Sequence, residues 1–151
     1  MTIEQKIESA IVTFLKTQTF TDIPAAQIYR GLEHDAAESA ENYTQTRVLP
    51  CITVSCAAST ASDLTSGNRM ATPEISVQSQ SDDSTNAAHL TRCAQVFAVV
   101  ATTTFAASIS AALSDFYCFF SYPDTGGERV SERSWESFVT LKMMVAGVDI
   151  S

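Results

Sequence analysis

The sequence predicts an α+β fold, a mostly antiparallel β-sheet with helices packed on one face, and three observations predict it. Two stretches, Val48–Ala57 and Glu74 onward, alternate apolar and polar residues as half-buried strands do. Ile52, Val54 and Cys56 point one way from the first, Ile75 and Val77 from the second. Residues 2–17 and 84–101 instead repeat apolar side chains at helical spacing. From Asp115 onward the pattern returns to strand-like runs, so strands and helices come in blocks rather than in strict alternation.

Taken in order, residues 2–17 form the clearest helix. Ile3, Ile7, Ile11, Phe14 and Leu15 make one stripe, while Glu4, Lys6, Glu8 and Lys16 sit off it. Thr2 followed by Gln5 has the spacing of a capping box. The stretch Thr19–Arg47 is less regular: Phe20, Ile23, Ile28, Tyr29 and Leu32 are available to pack, and Pro24 argues against a helix through Ile23. Its end is acidic, with Glu33, Asp35, Glu38 and Glu41 around His34. That histidine reads as a solvated side chain, because a metal site would need a second one nearby.

Pro50 near the start of the Val48–Ala57 strand suits an edge strand or the point where the chain joins the sheet. Ala58–Thr72, with Ser66-Gly67-Asn68 inside it, is too long for a tight hairpin turn and reads as a long loop. Such a loop is either ordered against a neighbouring subunit or simply mobile. A long-looped hairpin with a helix packed across it is the expected nucleus. The helix opens on Asp82-Asp83-Ser84-Thr85, good N-capping chemistry, and continues with Leu90, Cys93, Ala94 and Phe97. Thr102-Thr103-Thr104 marks a break before a second helix, Thr104–Ser114, carrying Phe105, Ile109 and Leu113. Phe116–Tyr122 is a strand by aromatic density, either buried on both faces or paired inside an interface. Pro123-Asp124-Thr125-Gly126-Gly127 reads as a turn, followed by two strands, Glu128–Glu136 and Ser137–Val148.

At 151 residues the chain is expected to be a single domain, residues 1–151, able to bury a real core. Only 17% of its residues are charged, against about one quarter in ordinary domains, so Ser, Thr, Asn and Gln must cover much of the surface. A surface of that kind is covered by partner subunits at lower desolvation cost than a charged one. The net charge of −8 disfavours nucleic acid and anionic membranes as partners. It is compatible with DNA as passing cargo. The run between Arg92 and Asp115 carries no charge and is about as long as a bilayer span, yet its Gln95, threonines and serines favour a buried helix.

Chemistry finds little support. The four cysteines, Cys51, Cys56, Cys93 and Cys118, show no CxxC spacing and read as small buried hydrophobes in a reducing compartment. His89 and Cys93 are one helical turn apart, but Cys93 lies in the core-facing stripe, where a thiolate is costly. No serine nucleophile elbow, phosphate-binding glycine loop, HExxH or dinucleotide fingerprint occurs. Neither enzyme activity nor a cofactor or metal is expected. The residues that stand out are candidates for subunit contact: Asp63, Leu64, Asn68, Arg69 and Met70 in the long loop, and Arg129, Arg133 and Trp135 later. Arginines at such places either anchor a contact through a carboxylate or are ordinary surface charges. Trp135 is a core residue or an interface anchor.

The order of these elements carries a resemblance. An opening amphipathic helix precedes a strand near Leu49-Pro50, then a long polar loop, a second strand (Glu74-Ile75-Ser76-Val77), a capped helix from Asp82 and a final meander. This resembles the tail terminator, or tail-completion, proteins of long-tailed bacteriophages. The resemblance covers most of the chain as a pattern and rests on no single motif. It implies a hexameric ring at the head-proximal end of the tail tube, which ends tube polymerisation and meets the head connector or stopper protein. It implies a virion location after assembly in the host cytoplasm, with the tail tube protein as a partner and no catalytic residues. The alternatives are another neck, head-closure or minor tail component, or a non-viral ligand-binding or enzymatic α+β domain.

Overall fold

The computed structural model describes residues 2–31, 48–61, 67–80, 87–112, 116–130 and 134–147. Its sheet is built along one long strand, β7 (Ser134–Gly147), which is paired on both edges. On one side lies β6 (Phe116–Val130). On the other side β4 (Asn68–Ala71) and β5 (Glu74–Gln80) follow each other end to end. From Asn68 opposite Ala146 to Gln80 opposite Ser134 the register never slips, and the Pro73 carbonyl accepts from the Leu141 amide (2.8 Å) across the joint. Beyond them lie β2 (Cys51–Ser55) and β3 (Ser59–Ala61), which continue each other with a one-residue slip over 56–58. A short strand, β1 (Ile28–Arg30), runs parallel to β2 and completes the sheet. All other pairings are antiparallel, so the fold is α+β.

The expected nucleus is present. Ile52 pairs with Val77 and Val54 with Ile75, so the alternating side chains of both strands reach the same side. On β7 the matching positions are Val139, Leu141, Met143 and Val145, all buried. Among the described residues three α-helices cover that side: α1 (Ile3–Lys16), α2 (Ala87–Val100) and α3 (Thr103–Ala112). The Thr2 hydroxyl accepts from the Gln5 amide and the Gln5 side chain accepts from the Thr2 amide, closing the capping box. Ile7, Ile11 and Leu15 of α1 enter the core, and Phe14 meets Phe105 of α3 edge-on at 5.1 Å between ring centres. α2 and α3 meet at a 69° bend, at the expected threonine break. Among the described residues no single helix is long and apolar enough to cross a membrane.

Several sequence expectations are corrected. Ala58–Thr72 is not wholly a loop, because β3 and β4 extend the hairpin through it. Neither strand has much β-propensity; β4 is carried by its ladder with β7. Gly67 holds φ at 65° just before β4, a conformation that suits glycine, and residues 62–66 lie outside the described set. Pro123–Gly127 is no turn either, but the middle of β6. Among the described residues β6 pairs only with β7, and an edge strand tolerates a residue that lacks an amide proton. The two strands expected after Gly127 are therefore the end of β6 and the whole of β7, separated by residues 131–133, not by a break at Ser137. The buried stripe of α2 is His89, Cys93, Val96 and Val100, while Leu90 and Ala94 face outward. The expected cap at residues 82–85, the acidic stretch with His34, and Leu113 lie outside the described residues.

Candidate interaction surface

Residue alternation along β6 decides what faces away from the helices. Cys118 pairs with Val145 and is buried with it on the helix side, so Tyr117, opposite Ala146, faces the other way. The next pair in register is Phe120 with Met144, which leaves Phe119 as the extra residue of a β-bulge. Its ring packs edge-on to Tyr117 at 5.3 Å, on Tyr117's side. Phe120, opposite an outward residue of β7, lies on that side too and stacks on Tyr122 at 5.7 Å. One inserted residue thus brings four aromatic rings to one side of an edge strand. Tyr117 is 53% exposed, Phe119 51%, Tyr122 44% and Phe120 36%.

The patch extends across the sheet. Thr60, Met70, Met144 and Phe120 stand in one lateral row over β3, β4, β7 and β6. Lys142, exposed, sits opposite Tyr122 in the neighbouring row. The Phe116–Tyr122 segment carries no charge in a chain of net charge −8. A contiguous apolar patch beside the charged Lys142, along a strand edge that no other described strand pairs, has the character of a protein contact surface.

On the helix side, farther along β6, lies a second feature. A groove of about 420 Å³ runs between α2 and β6, lined by Leu90, Cys93 and Phe97 on one wall and Gly126–Glu128 on the other. Ser137 and Val139 form part of its floor. It exists because Gly126, opposite Val139, offers no side chain to that side. Leu90, 48% exposed, stands on its wall.

Beneath the groove is a buried polar cluster. His89 Nδ1 lies 2.8 Å from the Ser79 hydroxyl and Nε2 lies 2.9 Å from the Ser137 hydroxyl. Arg92 donates from Nη1 to the Ser79 hydroxyl (3.0 Å) and from Nη2 to Asp22 (3.4 Å). Ser79 is fully buried, and the ring nitrogen is the acceptor in reach of its proton. In that tautomer the ring proton is on Nε2 and the imidazole donates to Ser137. Burial, then Arg92, holds His89 below its ordinary pKa, with Glu128 acting the other way. Cys93 Sγ lies 3.5 Å from Nε2, and burial pushes its thiol up despite the Ser137 hydrogen bond. The pair touches as its spacing predicts, and its geometry is that of a clip between α2, β5 and β7.

The sequence candidates divide. Asn68, Arg69 and Met70 fall on β4, and Met70 joins the aromatic patch through Met144. Arg69 faces the helix side, where Nε donates to the Ser59 hydroxyl (2.7 Å) and Nη2 to its carbonyl (2.8 Å). Ser59 in turn donates to Glu4 (2.7 Å), and that bond is the main reason the Glu4 carboxyl sits below its usual pKa. Arg129 is placed by its backbone in β6, opposite Glu136. Trp135 is part-buried against His89, 6.2 Å between rings, and does not join the patch. Asp63, Leu64 and Arg133 lie outside the described residues. The aromatic residues themselves were legible as a strand suited to burial or an interface; their common side depends on the bulge, which no local signal announces.

No protein-family model matches the chain, and no curated protein matches it.

Proposed function

We propose that this chain is a structural subunit that closes into a ring at the head-proximal end of a bacteriophage tail tube, ends tube polymerisation and joins the tail to the head connector. The observation that carries this reading is the aromatic edge of β6, a surface that water solvates poorly and another subunit covers well. The resemblance in element order supplies the context. An acidic ring suits a passage through which DNA must move without adhering, since a chain of net charge −8 gains little from phosphate contacts. In this reading the tail tube protein and a connector or stopper protein are partners, DNA is cargo, and the protein performs no reaction.

The test is assembly. Light scattering and negative-stain imaging of the purified chain are expected to give rings of about six copies, the closed symmetry that a heterologous contact generates. Added to growing tail tubes, those rings should stop elongation. Protein that stays monomeric at high concentration and does not bind tubes overturns the reading. A second reading, a small apolar-ligand domain, rests on the groove between α2 and β6. A monomer that takes up an apolar probe there favours it.

A further inference from the structure

A ring needs two different surfaces on each subunit, one that presents and one that receives. The described residues hold such a pair on opposite sides of β6. The aromatic patch lies on the side away from the helices, and the groove of about 420 Å³ lies on the helix side. One is exposed and aromatic; the other is an apolar slot beside Gly126.

Their rims differ in sign. Lys142 flanks the aromatic patch, paired with Tyr122 across the ladder. Glu128 flanks the groove and is exposed. In a twofold contact, patch against patch, two copies of Lys142 would approach each other in the interface. In a head-to-tail contact, Lys142 of one copy meets Glu128 of the next, and the acidic copies attract at the place where they touch. Charge therefore selects the head-to-tail arrangement.

Resting on the ring reading above, we propose that the Tyr117–Phe119 pair of one copy seats in the groove between α2 and β6 of a second copy, with Lys142 of the first answering Glu128 of the second. The partner is another copy of this chain, and the contact is heterologous.

Charge reversal tests it without touching the core. Lys142→Glu alone and Glu128→Lys alone should each weaken self-association about tenfold or more, measured by light scattering over a dilution series. The double variant, which restores the original net charge, should return to within about threefold of the parent. Lys16→Glu, an exposed change of the same sign on α1, serves as the control and should leave association unchanged. Gly126→Leu gives an independent arm. A Cβ there meets nothing closer than the Phe138 carbonyl at 3.4 Å, so the fold accepts it while the longer side chain fills the groove. Loss of association with an unchanged circular dichroism spectrum is expected. Rings that survive both single reversals, or that survive Gly126→Leu, overturn this contact and leave the ring reading standing. A parent protein that forms no ring at all overturns the ring reading and this contact with it.

Discussion

Glu8 Oε1 lies 3.3 Å from Arg30 Nε, and the carboxylate, 1% exposed, sits where α1 crosses the edge of the sheet. Its second oxygen accepts from the Cys56 amide at 3.1 Å, at the slip between β2 and β3 where the ladder leaves that amide without a strand partner. Arg30 also donates from Nη2 to the Gln5 carbonyl (3.1 Å). The pair thus binds helix, edge strand and bulge at one point.

Removing the Glu8 carboxylate takes from the mostly buried Arg30 the anion at its Nε and from the Cys56 amide its acceptor, while the Gln5 carbonyl stays on Nη2. Glu8→Ala is expected to lower unfolding free energy by about 3–5 kcal/mol in urea titrations. Replacing both partners, Glu8→Leu with Arg30→Leu, should recover much of that loss, because the desolvation cost of both charges disappears with them. A Glu8→Ala variant as stable as the parent would show that the carboxylate is not holding α1 in place.

Stability should fall on mild acidification. His89 is held below its ordinary value by burial, so at mildly acidic pH the unfolded chain takes up a proton that the folded chain refuses. The stabilising contribution is complete above about pH 6.5, the unfolded value, and is lost as pH drops from there toward the folded one. Urea titrations at pH 7.5 and 5.5 are expected to show this loss in the parent. In His89→Gln, whose side chain does not titrate, the difference should shrink. Glu4 acts in the same direction but only lower, below about pH 4.5, because its carboxyl is depressed by Ser59.

What the sequence made legible, and what it hid, follows from the range of the interactions. The α1 capping box, the Ile52/Val54 and Ile75/Val77 faces and the break before α3 rest on neighbours within a few residues, and all stand as expected. Glu8 sits off the apolar stripe of α1, and its burial was hidden because its partners, Arg30 and Cys56, are 22 and 48 residues away. The buried stripe of α2 is shifted by one residue from Leu90, Ala94 and Phe97 to His89, Cys93 and Val96, because the partners that make His89 a buried residue, Ser79 and Ser137, lie on two other strands. Pro123–Gly127 has turn chemistry, and only the pairing with β7 keeps it extended. The patch was half legible, since aromatic density marked the strand but the bulge at Phe119 set its direction.

The thiols should be inert in the folded protein. All four cysteines are buried and free, and burial pushes Cys56 up to about 12 and Cys118 up to about 11. Since the thiolate is the reactive form, a disulfide reagent at pH 8 should titrate far less than one thiol per chain in the native state. In guanidinium it should titrate all four. Rapid native labelling would mean that one of these sites opens to solvent locally.

Deleting Phe119 separates the two consequences of the bulge. In the present register Cys118 opposes Val145 and Phe120 opposes Met144, which are consecutive on β7, so the chain without Phe119 makes a regular ladder from Phe116 to Pro123, with the shift between Pro123 and Thr125 and every later pair retained. Phe119 is 51% exposed, and its loss opens no cavity in the core. Unfolding free energy should therefore change by less than about 1 kcal/mol, and the circular dichroism spectrum should stay the same. Association should not survive as well, because Tyr117 loses the ring packed against it at 5.3 Å and the patch loses one of its four aromatics. The expected outcome is a folded chain whose self-association is weakened about tenfold or more, as for loss of an aromatic anchor. A deletion variant that unfolds would place Phe119 in the fold, and one that assembles like the parent would place the contact surface elsewhere.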